Sequence, residues 1–222
     1  MQISHEWIYA YIYADKRLGG ELHRHLRCQK RRRKRYGSGR QRRGQIINRV
    51  GIEHRPAAVD ERAEVGHWEV DTIIGKGHQG ACLTAVERVS RYTRLAKLNR
   101  RTAQATANQL RKRLEPLIKM VRTITSDNGK EFNDHSKISS SLGCDFYFAD
   151  PYASWQRGTN ENTNGLIRQY LPKDRELKTL TGPEVRMIEN RLNHRPRKCL
   201  GYLTPHEVLN NIQMRLTVAL RG

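Results

Sequence analysis

Three short segments between His67 and Leu98 set the architecture: "HWEVDTIIG" (67–75), "ACLTAVER" (81–88) and "YTRLAKL" (92–98). Each is rich in β-branched, aromatic or alternating apolar residues, and turn chemistry separates them, so they read as three consecutive antiparallel strands. Next, "RTAQATANQLRKRLEPLIKM" (101–120) has helical composition, with Leu110, Leu114, Leu117 and Ile118 along one face. "VRTIT" (121–125) reads as a fourth strand buried on both faces. A helix is expected over about 130–142 and a fifth strand at "CDFYFA" (144–149). "PYASWQRGTNENTNG" (151–165) begins as polar loop and turns helical near Thr159. Further helices are expected over 181–197 and 203–210, the latter with Thr204 as N-cap and Pro205 at its first position. The order β-β-β-α-β-α-β-α-α predicts an α/β domain.

Charge decides what such a domain touches. Of 222 residues, 42 are Lys or Arg and 22 Asp or Glu, a formal charge of +20. That exceeds what solubility needs and points to an anionic polymer. Nucleic acid fits better than membrane, because no apolar run approaches the roughly 20 residues of a bilayer span. The opening "MQISHEWIYAYIYADK" lacks the long apolar region of a secretion signal. Residues 4–14 carry Trp7, Ile8, Tyr11 and Ile12 at helical spacing behind Ser4 as a possible N-cap. Gly19 and Gly20 break the pattern. From Arg24 to Arg43 there are eleven Lys/Arg, including Arg31, Arg32, Arg33, Lys34 and Arg35, and no acid. Such a block stays extended until it meets an anion, which suits salt-sensitive DNA contact. Residues 1–60 are therefore read as a basic helical DNA-binding segment and arm, and 61–222 as a separate α/β domain. The cysteines, Cys28, Cys82, Cys144 and Cys199, are more than fifty residues apart, without a C-x-x-C pair, which argues against a zinc ribbon and for reduced thiols in the cytosol.

"GKGHQG" (75–80) matches G-x-G-x-x-G, but the residues after it alternate like a strand, so a hairpin turn fits better than a nucleotide site. The acids say more. An aspartate inside an apolar strand is costly unless it is paired or ligates a cation. Asp71 stands so between Val70 and Ile73, and by two-residue periodicity Glu69 shares its face as a competing ligand. Asp71 could equally partner a buried arginine. Asp127, in "TSDNGKEF" (125–132), follows the fourth strand directly, where sites gather in mixed sheets; an Asx-type turn is the alternative. Glu161 falls in the first turn of the helix near Thr159, where an acid could simply complement the dipole. Arg168 lies two turns on, on the same face. Carboxylate and guanidinium together would suit a phosphodiester held between a metal and a cation. Arg168 and Lys130 are candidates for phosphate contact, and Tyr152, Trp155 and Arg157 for stacking on or bracketing unpaired bases.

"GHWEVDTIIGKG", "ITSDNGKEF", "YFADPYASWQRGTNENTNGLIRQYLPK" and "LNHRPRKCLGYLTPHEV" resemble the catalytic domain of insertion-sequence transposases of the IS-thirty family, over roughly Ser4 to Val208. The resemblance implies a ribonuclease H-like fold, a mixed five-stranded sheet flanked by helices, with a small basic helical N-terminal segment. It implies a DDE triad of Asp71, Asp127 and Glu161, the last two separated by 33 residues, and a basic Arg168 seven beyond the glutamate. Two Mg²⁺ (or Mn²⁺) ions would be held by the three carboxylates, one activating the nucleophile and one stabilising the leaving 3′-oxygen. The implied reaction is cleavage at the element's ends, then attack of the freed 3′-hydroxyl on target DNA, with no nucleotide cofactor. The partners would be terminal inverted repeats and target DNA, bound by a homo-oligomer in the bacterial cytoplasm, at the nucleoid, and no membrane. The sequence departs from the family in two places. "ISHEWIYAYIY" resembles the second helix of a helix-turn-helix with Met1 just before it, implying a truncated chain. Val70 stands where the family has glycine, and in a strand should point away from Asp71. Rival readings are a ribonuclease H-like nuclease without strand transfer and a catalytically inactive DNA-binding remnant or regulator.

Overall fold

The computed structural model describes residues 5–26, 46–151 and 153–211. They fall into two compact units, Met1–Arg43 and Gly44–Gly222. In the first, helix α1 (His5–Arg17) ends where Gly19 takes a φ of 90°, as the Gly-Gly pair led one to expect. Ser4 and the arm residues Arg31, Arg32, Arg33, Lys34 and Arg35 lie outside the described residues, as does Tyr152.

The second unit is built on five strands: β1 (His67–Ile74), β2 (Ala81–Glu87), β3 (Thr93–Leu98), β4 (Thr123–Ser126) and β5 (Asp145–Phe148). Their order in the sheet is β3-β2-β1-β4-β5. The first three pair antiparallel, while β4 runs parallel to β1 and β5 parallel to β4, so the sheet is mixed and β1 is its centre. The parallel strands are short and buried, as strands covered on both faces are.

Alternation along β1 sorts its side chains between two cores. Trp68 and Val70 join a cluster with Leu110 and Leu114, so this face is covered by α3 (Ala103–Leu114) and α4 (His135–Leu142). Ile73 joins the opposite cluster with Leu166, Ile167, Val185 and Ile188, from α5 (Gly158–Ile167) and α6 (Gly182–Asn193). Val70 thus points away from Asp71, as alternation requires. Each fully buried aliphatic side chain contributes about 1.5–3 kcal/mol of transfer free energy. Trp68 is buried without losing its donor, since Nε1 donates to Met120 O at 2.8 Å.

Local chemistry sets the ends of the helices. Thr102 caps α3 by accepting from Ala105 N, and Thr181 caps α6 by accepting from Glu184 N, with a proline in the first turn. The helix expected over 101–120 is α-helical only to Leu114, then tightens to a 3₁₀ turn over Glu115–Met120. Pro116 has no N–H to continue the ladder and restricts the residue before it. The helix expected from 130 starts at His135, after a 3₁₀ turn over Lys130–Phe132. Residues 205–211 are helical behind Thr204, which accepts from Glu207 N at 3.1 Å.

Residues 46–60, grouped with the basic arm on sequence, belong to the second unit. Val59 is fully buried, Arg55 Nη1 donates to Thr125 Oγ1 at 3.1 Å, and Phe148 N donates to Val50 O at 2.9 Å. Gly51 extends the sheet past β5 by a parallel bridge to Phe148. At the other edge, Asn193 and Glu189 of α6 accept from Thr93 N and Leu95 N, both at 2.8 Å. The 75–80 stretch is a hairpin turn joining β1 to β2, around a 3₁₀ turn at Lys76–His78.

Candidate active site

Asp71 sits on the central strand, its side chain facing α5. Thr72 N donates to Oδ1 at 2.7 Å and Asn164 Nδ2 to Oδ2 at 3.0 Å. Asp127 follows β4, the parallel neighbour of β1, and its Oδ1 accepts from Gly129 N at 2.9 Å, closing an Asx-type turn. One cation serves both acids. Arg157 Nη1 lies 3.4 Å from Asp71 Oδ2 and Nη2 lies 3.9 Å from Asp127 Oδ2. Burial pushes the Asp71 carboxyl up to about 6; Arg157 opposes the rise and Asp127 adds to it.

Glu69 shares this face but is otherwise committed. It is fully buried, bonded to Arg88 Nη1 at 2.6 Å and accepting from Asn160 N at 2.7 Å. Its carboxylate ties β1 to Arg88 and to the first turn of α5.

Glu161 lies in that first turn, exposed, and its carboxylate makes no hydrogen bond or ion pair with a described residue. It stands one turn before Asn164 on the same helix face, and Asn164 touches Asp71. Among the described residues no three His, Cys, Asp or Glu side chains are placed to hold a metal ion. The structure thus brings Asp71 and Asp127 together around a cation and leaves Glu161 at the rim.

The donor set suits a hard divalent ion. Two carboxylates already converge on positive charge, and the Asn164 Oδ1 oxygen beside them is buried without a partner. Oxygen donors of this kind match Mg²⁺ or Mn²⁺.

Of the cations singled out on sequence, Arg168 closes the far end of α5 against β1. Its Nη2 donates to Ile74 O at 3.0 Å and Nη1 to Leu171 O at 3.3 Å. Lys130 is exposed just after Asp127. Trp155 is 75% exposed in the 3₁₀ turn before α5, so it is no core residue. Sequence reasoning missed Asn164, which its three-residue spacing from Glu161 could have suggested, and Glu131. Buried Glu131 accepts from Thr72 Oγ1 at 2.6 Å and pairs with Arg101 at 3.3 Å. Nothing in "DNGKEF" distinguishes this glutamate from a surface one.

An integrase core domain family matches residues 61–154. The transposase for insertion sequence element IS4351 of Bacteroides fragilis is 47% identical over 217 residues, covering 98% of this chain and 67% of that one. The transposase for IS1086 of Cupriavidus metallidurans is 42% identical, covering 96% of this chain and 63% of its own. Transposase InsI for IS30A of Escherichia coli strain K12 is 38% identical, covering 94% and 56%. The chain therefore spans 56% to 67% of the length of these relatives. A crystal structure of the catalytic core domain of BIV integrase superposes with a TM-score of 0.50 at 21% identity, covering 69% of this chain and 99% of that domain. That likeness shows the fold, which is ribonuclease H-like. With its mixed sheet, its integrase core and its close relatives, this chain belongs to the IS30 family of insertion-sequence transposases.

Proposed function

We propose that this chain cuts DNA at the ends of an insertion element and joins the freed 3′-ends to target DNA. The observation that carries the reading is the convergence of Asp71 and Asp127, from adjacent parallel strands, on a single cation. Asp71, Asp127 and Glu161 are the catalytic carboxylates and would hold two Mg²⁺ or Mn²⁺ ions. Such ions supply Lewis-acid stabilisation of charge on the phosphoryl oxygens and an acidified water.

The chain's own residues do the rest. β1 and β4 fix two carboxylates on the sheet, and Asn164 and the Thr72 N–H orient Asp71. Glu161 supplies the third carboxylate from α5, and Arg168 fixes the far end of that helix against β1. In cleavage, a water oxygen bonds to phosphorus as the P–O3′ bond breaks, and a proton given up by the water ends on the freed 3′-oxygen. In joining, that 3′-oxygen bonds to a target phosphorus as the target's own P–O3′ bond breaks. Bonds are exchanged one for one, so no ATP is needed. Exposure before α5 supports Trp155 as a residue that stacks on an unpaired base, and exposure after Asp127 supports Lys130 as a phosphate contact. A homo-oligomer acting on nucleoid DNA completes the reading, with the basic arm adding affinity without sequence preference.

The test is incubation of purified protein with Mn²⁺ and a duplex carrying the terminal inverted repeat that flanks its gene. Cleavage with joining supports the proposal. Cleavage alone would indicate a nuclease, and retarded mobility with neither an inactive DNA binder. Asp127→Asn should lower cleavage roughly a thousandfold or more while DNA binding persists. A variant as active as the parent would remove Asp127 from the site.

A further inference from the structure

Between the β1–β2 turn and the start of α3 lies a cavity of about 750 Å³. Its charged lining is wholly basic: Arg100, Arg101 and Lys178, with His78 and the amides of Gln79 and Asn99 beside them. No acid, and no Phe, Tyr or Trp, lines it. Several buried and half-buried arginines elsewhere in this unit have carboxylate partners, Arg88 with Glu69, Arg94 and Arg113 with Glu189, and Arg175 with Glu184. In the cavity Arg101 has Glu131. The exposed side chains of Arg100 and Lys178 have no ion pair or hydrogen bond with a described residue. Like charges gathered in a concavity raise the local potential and draw in an anion.

The cavity has a fixed wall. Lys76 N donates to Arg175 O at 2.8 Å, and Leu177 N and Lys178 N donate to Gln79 O at 2.9 and 3.1 Å. The backbones meet so closely that a Cβ on Gly80, which also has a φ of 74°, would lie 2.5 Å from Lys178 N. A short relay connects the cavity to the acids. Arg101 pairs with Glu131, Glu131 accepts from Thr72 Oγ1, and Thr72 N donates to Asp71.

We propose that this cavity is a binding site for the sugar-phosphate backbone of DNA, holding the strand beside Asp71 through Arg100 and Lys178 without reading its bases. Unpartnered cations suit phosphate oxygens, and the absence of an aromatic platform gives no purchase on a base. Only the identity of the polymer rests on the proposed function.

The test measures binding of a fluorescein-labelled duplex of arbitrary sequence in EDTA, across a series of salt concentrations, so no cleavage is needed. Replacing both cations (Arg100→Ala with Lys178→Ala) should lower the slope of log K against log salt by about 1.8, roughly 0.9 for each phosphate no longer neutralised. Each single variant should lower it by about half as much. A control pair, Lys112→Ala near the other end of α3 with Lys119→Ala in the 3₁₀ turn after it, should keep the parental slope. The proposal is overturned if the cavity variants keep that slope, or if the control pair loses as much. A lowered slope in a protein that never cleaves would leave the cavity a DNA site and reject only the proposed chemistry.

Discussion

The Arg157 guanidinium lies 3.4 Å from the Asp71 carboxylate, on the side where Asp127 also reaches it. An internal cation there offsets part of the burial that pushes the Asp71 carboxyl up. It also occupies the space that a divalent ion needs. Removing it should loosen the metal-free protein and improve its affinity for metal. Arg157→Ala is expected to bind Mn²⁺ about fivefold more tightly, from roughly 1 kcal/mol of relieved cation–cation repulsion at this partly solvated position. Mn²⁺ titration followed by electron paramagnetic resonance measures this directly; an unchanged or weaker affinity would mean that Arg157 supports the ion rather than competing with it.

Asp71 should leave a mark on stability against pH. Its folded-state value of about 6 stands above the ordinary 3.8, so between those limits the folded protein holds a proton that the unfolded chain has released. Stability in EDTA therefore falls as pH rises from about 4 through about 6. Asp71→Asn has no such proton to lose. Its stability relative to the parent should rise across that window, as read by urea denaturation at several pH values. Parallel curves for the two proteins would contradict the assignment.

Glu69 tests structure against chemistry. With Arg88 it forms a buried pair, and removing Arg88 leaves the fully buried Glu69 carboxylate without its ion-pair partner. Arg88→Leu should cost about 3–5 kcal/mol, and the double replacement with Glu69→Leu less than the sum of the singles. Denaturant melts of the three variants measure the coupling. Additive losses would show that the pair is not a unit.

Gly75 tests the wall of the basic cavity. A Cβ there would meet Leu177 N at 2.6 Å and Gln79 O at 2.9 Å, backbone atoms with little room to yield. Gly75→Ala is expected to destabilise the protein by about 1–3 kcal/mol. Thermal melting decides this, and a variant as stable as the parent would mean that the turn is loosely held.

The strands were readable because alternation is local. Val70 and Asp71 must part to opposite faces whatever surrounds them, and they do. The Asp127 turn was readable for the same reason, since Asp-Asn-Gly dictates its own geometry. Helix lengths were misjudged where something nonlocal or covalent intervened. Pro116 shortened α3 in a stretch whose composition is otherwise helical, and the demand for Glu131 at Thr72 and Arg101 accompanies the delayed start of α4. The partners of the acids were the least legible part. Glu69 and Asp71 share a face, but that one finds Arg88 and the other Arg157 depends on chain distances of 19 and 86 residues, which spacing does not encode. Likewise Glu161, grouped with the aspartates by resemblance, falls in the first turn of α5 as expected but stands at the rim.

Both margins of the sheet are occupied from within. Asn193 and Glu189 take up the amides of Thr93 and Leu95 on β3, and the segment at Val50 and Gly51 meets the end of β5 at Phe148. A foreign strand would find few free backbone groups on which to template itself. Sheet-to-sheet polymerisation through these borders is accordingly disfavoured.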